Sequence, residues 1–151
     1  MRVTTWTEYS LIISTHLARR MATGLPVAAR EMAEAERLPP DYVEQILLRL
    51  RRAGLVDSVR GAKGGYRLTR PAATISVYDV MRASDHQTFE VNCQDHRIDR
   101  ERCDPTNACS VRPVWQAVQE RVNKVLKGVS LADLLKQEPE VAQIVGLGKP
   151  A

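Results

Sequence analysis

Residues 38–66 read LPPDYVEQILLRLRRAGLVDSVRGAKGGY, and the order of signals within them decides the fold. Leu38-Pro39-Pro40-Asp41 is a turn that opens a helix, because proline is accepted in a helix's first turn and not further in. Val43, Ile46, Leu47 and Leu50 then recur three and four apart, the spacing of one buried helical stripe. Gly54 stops that helix in the manner of a C-terminal glycine cap. Leu55 to Val59 has the alternation and β-branching of a strand. Gly61-Ala62-Lys63-Gly64-Gly65 supplies a flexible turn, and Tyr66-Arg67-Leu68 returns as the partner strand.

Upstream, Thr5 and Glu8 stand three apart in a capping-box pattern, and Tyr9, Ile12, Ile13, His16 and Leu17 follow at helical spacing. A first helix is therefore expected from Thr5 to Met21. Gly24-Leu25-Pro26 breaks it, and Val27 to Ala35 reads as a short second helix. Three helices followed by a basic hairpin is the winged helix-turn-helix order, so the fold expected is mainly α with a small β-hairpin.

Downstream, Ile75 to Met81 should add a helix against the wing. Apolar periodicity then disappears from Asp85 to Ser110, a loop long enough to require a reason. Val111, Val114, Trp115, Val118, Val122 and Val125 restore it, giving a helix from Val111 to Lys127 whose single apolar face must be buried somewhere. Ser130 to Leu135 reads as a docking segment and Gly146 to Ala151 as a loose tail. The organisation expected is a DNA-binding domain over 1–84, a cysteine loop over 85–110, a dimerisation helix and docking segment over 111–137, and a C-terminal tail over 138–151.

The 151 residues, 44% of them hydrophobic, suffice for one domain with an appendage. No apolar signal core or membrane span stands out, so a cytoplasmic protein without membrane contact is expected. Residues 1–70 hold 12 Lys and Arg against 7 Asp and Glu, a net of +5, which leaves −1 for residues 71–151 out of the total of +4. The basic half is the one expected to meet a polyanion.

In a helix-turn-helix the second helix of the motif enters the major groove, where side chains pointing away from the core meet base edges. Here those are Asp41, Tyr42, Glu44, Gln45 and Arg49. Arg51 and Arg52, with Arg60, Lys63 and Arg67 on the hairpin, suit phosphate contacts, and Arg60 also suits a narrow minor groove. A merely solvated basic face on a protein-interaction module is the alternative. It is disfavoured because the surplus charge coincides with the third helix and the wing.

Cys93, Cys103 and Cys109 are separated by nine and five residues, matching neither zinc-knuckle pairs nor a plant-type ferredoxin run. Arg97, Arg100, Arg102 and Arg112 around them suit thiolate or cluster charge. An odd number of cysteines without a secretion signal argues against a disulfide framework. A metal, a cluster and ordinary thiols, one of them redox-active, all remain open on this basis. No Gly-rich phosphate loop, Ser/His/Asp arrangement or acid/base pair stands out, so an enzyme is not expected. A small electron-transfer protein would need a cluster but not the basic wing.

Met1-Arg2-Val3, Trp6 to Tyr9, Tyr42 to Leu47, Leu50 to Val56 and Ser58 to Tyr66, the last containing VRGAKGGY, together resemble the Rrf-two family of bacterial iron–sulfur regulators, with its IscR-like and NsrR-like members. The likeness runs from Met1 to about Leu135. It implies a homodimer formed by crossing the helix after the cysteine loop, on double-stranded DNA at a pseudo-palindromic operator. It also implies that Cys93, Cys103 and Cys109 ligate an iron–sulfur cluster, 2Fe–2S ahead of 4Fe–4S, and that Glu44 and Arg60 occupy base-contact positions. The sequence departs from IscR-like members in its longer first cysteine gap and in Arg112, which stands where they have a histidine ligand. A fourth ligand must then come from elsewhere. The resemblance points to Glu8 donated by the other subunit, with His96 next and an exogenous thiol or water after it, while His16 and His86 read as structural or surface residues. Family members without clusters imply the competing reading, a cluster-free regulator sensing through cysteine oxidation or a small metabolite.

Overall fold

The computed structural model describes residues 3–84, 93 and 97–147. Its elements are α1 (Thr5–Arg20), α2 (Ala29–Glu36), α3 (Pro40–Arg52), β1 (Val56–Val59), β2 (Gly65–Leu68), α4 (Val77–Ser84), α5 (Arg112–Lys127) and α6 (Glu138–Ile144), with short 3₁₀ turns between some of them. The mainly helical fold with a small hairpin is the one the sequence predicts.

α1 starts at Thr5, the expected residue, but its cap differs from the pattern read in the sequence. Thr4 is the N-cap, its side chain accepting from the Thr7 backbone N–H, so Thr5 is the first helical residue and Glu8 is not its capping partner. α2 starts at Ala29 rather than Val27. Val27 instead pairs with Tyr66 in an isolated antiparallel bridge, which fastens the hairpin to the α1–α2 connection. α2 is capped after Glu36 by Arg37, whose φ of 54° places a non-glycine residue in the left-handed region. The Leu38 N–H donates back to the Ala33 carbonyl at 2.9 Å and closes the turn into α3.

The core is the meeting of α1, α2, α3 and the hairpin. Ile13 from α1, Met32 from α2 and Val43, Ile46, Leu47 and Leu50 from α3 are fully buried, and Ile75, Val80 and Leu131 close it below. Each such aliphatic side chain contributes about 1.5–3 kcal/mol through burial. β1 and β2 pair antiparallel in the register Val56 with Leu68 to Val59 with Gly65. Their inward residues Val56 and Leu68 join the same core.

α4 spans Val77–Ser84 and not Ile75 to Met81. Ser76 and Asp79 cap it reciprocally, the Ser76 N–H donating to Asp79 Oδ2 at 2.9 Å and the Asp79 N–H to Ser76 Oγ at 3.1 Å. The chain after α5 returns to this point: the Val77 N–H donates to the Val129 carbonyl, and the Leu131 N–H to the Ile75 carbonyl. The stretch read as a tail contains α6, opened by a capping box between Gln137 and Glu140. No residue of α5 is buried, and Val114, Trp115, Val118 and Val125 of its apolar face are 57%, 45%, 40% and 49% exposed. No described helix is long and apolar enough to cross a membrane.

Candidate nucleic-acid interface and cysteine loop

α3 buries Val43, Ile46, Leu47 and Leu50 and turns Asp41, Tyr42, Glu44 and Gln45 outward. Asp41, Gln45 and the exposed Arg52 make no side-chain hydrogen bond or ion pair among the described residues. Tyr42 is divided between solvent and packing: its ring lies 4.8 Å from that of Trp6 and 5.8 Å, edge-on, from that of Tyr9. Glu44 lies close to the Tyr66 hydroxyl at the seam between α3 and the wing. Burial, reinforced by the Glu44 charge and opposed by Arg51, holds the Tyr66 phenol above its ordinary pKa, so it remains a neutral O–H.

Arg49 departs from the expected outward position. Its Nη1 donates to the Ser84 carbonyl at 2.5 Å, and its guanidinium carbon sits 4.1 Å from the centre of the Trp6 ring. The physical reason is that a backbone carbonyl from α4 and an aromatic face from α1 lie side by side within reach of one guanidinium, which can hold the first with its edge and stack on the second. Sequence periodicity along α3 cannot show either neighbour. Arg51 donates to Ser58 Oγ at 3.3 Å and so braces α3 against β1.

The wing is shaped by glycine. The Gly64 N–H donates to the Gly61 carbonyl at 2.9 Å, and a Cβ on Gly64 would meet the Val59 carbonyl oxygen at 2.2 Å. This tight tip presents Arg60 and Lys63, both exposed and without ion-pair partners among the described residues. Arg67 lies opposite Asp57 in the register, and their charged groups are 3.7 Å apart. A polar cleft lined by Arg49, Arg52, Arg70, Asp79, Arg82 and Ser84 opens between α3 and α4. Sequence reading did not single out Arg70 or Arg82; their residue type alone carries no signal of this convergence.

Cys93 and Cys103 are half-buried, Cys109 is exposed, and none is in a disulfide. Around the last two, from Asp99 to Cys109, the chain is built from local hydrogen bonds. The Cys103 N–H donates to the Asp99 carbonyl, the Thr106 N–H donates to Asp104 Oδ1 at 2.8 Å, and Asn107 Nδ2 donates to the Glu101 carbonyl at 2.7 Å. Arg112, in the first turn of α5, reaches back to the Asp104 carbonyl at 2.9 Å and the Pro105 carbonyl at 3.2 Å. At Cys109 the backbone N–H groups of Arg112 and Val111, with help from the Arg112 and Arg102 charges, hold the thiol below its ordinary pKa.

Among the described residues no three His, Cys, Asp or Glu side chains of one protomer are gathered closely enough to hold a metal ion. The donor chemistry nonetheless suits a cluster: three free thiols, one of them, Cys109, lowered in pKa beside the Arg112 and Arg102 charges. Glu8 is exposed and makes no hydrogen bond or ion pair among the described residues, so its carboxylate is available. His16, by contrast, is committed to Glu36 at 2.6 Å. His86 and His96 lie outside the described residues.

The family model described as "Iron-dependent Transcriptional regulator", Rrf2, matches residues 3–137. The chain belongs to the Rrf2 family. It is similar to the HTH-type transcriptional regulator IscR of Yersinia pseudotuberculosis, with 33% identity over 138 residues, covering 91% of this chain and 81% of that one. Among solved structures it is similar to T. potens IscR, with a TM-score of 0.70, 31% identity and coverage of 89% and 86% of the two chains. It is also similar to CymR, described as the global cysteine regulator of B. subtilis, with a TM-score of 0.72, 28% identity and coverage of 89% and 95%. The winged-helix architecture and the role of an Rrf2-type transcriptional regulator follow from these matches together with the fold.

Proposed function

We propose that this regulator acts as a homodimer on a pseudo-palindromic operator and takes its signal through an iron–sulfur cluster held by Cys93, Cys103 and Cys109, with Glu8 of the partner subunit as fourth ligand. The observation that carries the reading is the placement of three free thiols in the segment joining the DNA-reading half to α5, whose apolar face is exposed. Closing that face against a second copy supplies the burial it lacks and brings a second α1, with its unengaged Glu8, into the assembly.

On DNA, Asp41, Glu44 and Gln45 face base edges, while Arg52, Arg60, Lys63 and Arg67 meet phosphates, Arg60 also reaching toward the minor groove. Tyr42 contributes its exposed edge, and Arg51 does so from its brace on β1. A bound cluster supplies redox change and the exchange of its hard carboxylate ligand, a bond weaker toward iron than thiolate. Arg112 holds the Cys103–Cys109 segment in shape for that group.

Anaerobic purification with iron and sulfide analysis, absorption and electron paramagnetic spectra in both redox states, and an operator-binding assay on the same samples test the reading. Coloured protein whose operator affinity changes with the cluster is the expected result; colourless protein after proper reconstitution overturns the cluster. The similarity to CymR favours a second reading, a cluster-free regulator responding through thiol oxidation or a small metabolite. Operator binding that follows peroxide treatment of iron-free protein and reverses with a thiol reductant would select it.

A further inference from the structure

We propose that Arg49 is a positioning residue that carries the state of the cysteine loop to the recognition helix α3. The inference rests on the regulator reading above, in which the loop senses and α3 reads DNA, but not on which group the thiols hold.

Three sets of contacts converge on one point. Arg49 is in the last turn of α3, and its guanidinium donates to the carbonyl of Ser84 at 2.5 Å. Ser84 is the last residue of α4 and directly precedes the segment 85–110 that contains the cysteines. The same guanidinium lies 4.1 Å from the Trp6 ring, which packs 4.8 Å from Tyr42 in the first turn of α3. Thr7 Oγ1 and Ser84 Oγ, both buried, are 3.5 Å apart, and Ser84 Oγ donates to the Met81 carbonyl at 3.0 Å. The end of α4, the first turn of α1 and both ends of α3 therefore meet around Arg49 and the Trp6 ring it stacks on. The first turn of α1 also carries Glu8.

The chemistry suits transmission. The acceptor is the backbone carbonyl of the last described residue of α4, and its donor is a guanidinium, so the bond is charge-assisted and stronger than a neutral one. Arginine can hold that carbonyl with its edge while stacking its face on an aromatic ring; a lysine ammonium cannot do both. A shift of the α4 terminus moves the acceptor to which α3 is tied, and packed helices respond by changing between discrete arrangements rather than by gradual deformation.

The test measures operator affinity by fluorescence anisotropy for the full-length wild type and Arg49→Met, each in two pairs of loop states. One pair is cluster-loaded against cluster-free protein. The other is free thiols against thiols alkylated with iodoacetamide. For the emission measurement alone, a Trp115→Phe background, shown to be dimeric by sedimentation velocity, leaves Trp6 as the only tryptophan, so its emission reports the junction directly. We expect the wild-type affinities to differ by about 5- to 150-fold between states and the difference in Arg49→Met to shrink to within about twofold. The Trp6 response should vanish with it, while the absorption spectrum of the loaded variant stays that of the wild type. A wild-type ratio preserved in Arg49→Met overturns the relay. If loaded and cluster-free wild type bind alike, cluster sensing fails on its own account and the alkylation pair decides. There, an absent wild-type response, or one that survives in Arg49→Met, overturns the relay. Should Arg49→Met fail to fold, Arg49→Lys takes its place, with the same narrowing expected.

Discussion

Val27 and Tyr66 exchange two backbone hydrogen bonds, 2.9 Å from the Val27 N–H and 2.8 Å from the Tyr66 N–H, and these attach the wing to the body of the domain. The exchange requires Gly65. A Cβ there would stand 2.4 Å from the Val27 carbonyl oxygen, and its φ of 153° is one that side chains rarely adopt. Gly65→Ala must therefore push β2 away from Val27. We expect it to lower the unfolding free energy in urea by about 1–3 kcal/mol and to weaken operator binding through a displaced wing. An unchanged urea midpoint would show that the pair does not anchor the hairpin.

Arg60 and Lys63 occupy the tip that Gly61 and Gly64 fold, and neither pairs with a carboxylate among the described residues. Arg67 differs, because Asp57 lies 3.7 Å away and competes for its charge. Arg60→Ala should reduce operator affinity and lower the slope of log affinity against log salt by about one unit. Arg67→Ala should lower it less. Titrations at several salt concentrations check both, and a wild-type slope for Arg60→Ala removes it from the DNA-contacting set.

The parts of this fold that local chemistry encodes were legible in the sequence. Proline before α3, Gly54 after it and the glycine-rich tip mark the recognition helix and wing, and the three-and-four spacing of Val43 to Leu50 is the buried stripe found. Val27 misleads because valine beside two alanines is compatible with a helix, while its bridge to Tyr66 is a contact across 39 positions that no local pattern carries. The start of α4 could have been read correctly: Ser76 and Asp79 are a capping pair in sequence as well as in space. So could α6, from Gln137 and Glu140. Arg49 could not. Its position on the helical wheel is outward, and only the arrival of Trp6 and Ser84 from other elements turns it in.

Trp115 and Val118 lie at the middle of the α5 face, 45% and 40% exposed in the single chain. An apolar stripe of this kind in water signals a partner surface, and the helix is long enough to cross a second copy of itself. Trp115→Glu or Val118→Glu places a charge in the centre of that surface, which costs more than its rim can recover. Sedimentation velocity should show wild-type dimer and variant monomer at micromolar concentration. The monomeric variant should also lose cooperative occupation of the two operator half-sites. A variant that remains dimeric places the subunit interface elsewhere.

Thr4 and Glu8 separate structure from ligation at the start of α1. Thr4 caps the helix through its bond with the Thr7 N–H, at 3.3 Å, and Glu8 takes no part in it. Thr4→Ala should cost about 1 kcal/mol of stability, within the range for losing an N-cap, and should leave any visible absorption of the purified protein as it is. Glu8→Ala should do the reverse, leaving helix content and the thermal midpoint near wild type because its side chain makes no hydrogen bond or ion pair among the described residues. It should change the visible spectrum of the reconstituted protein, since a carboxylate ligand is exchanged for water or a small thiol. Circular dichroism and absorption on the two variants measure both columns of this comparison. A Glu8→Ala protein with an unaltered spectrum transfers the fourth position to His96 or to a small molecule, and an altered helix signal returns Glu8 to a structural role.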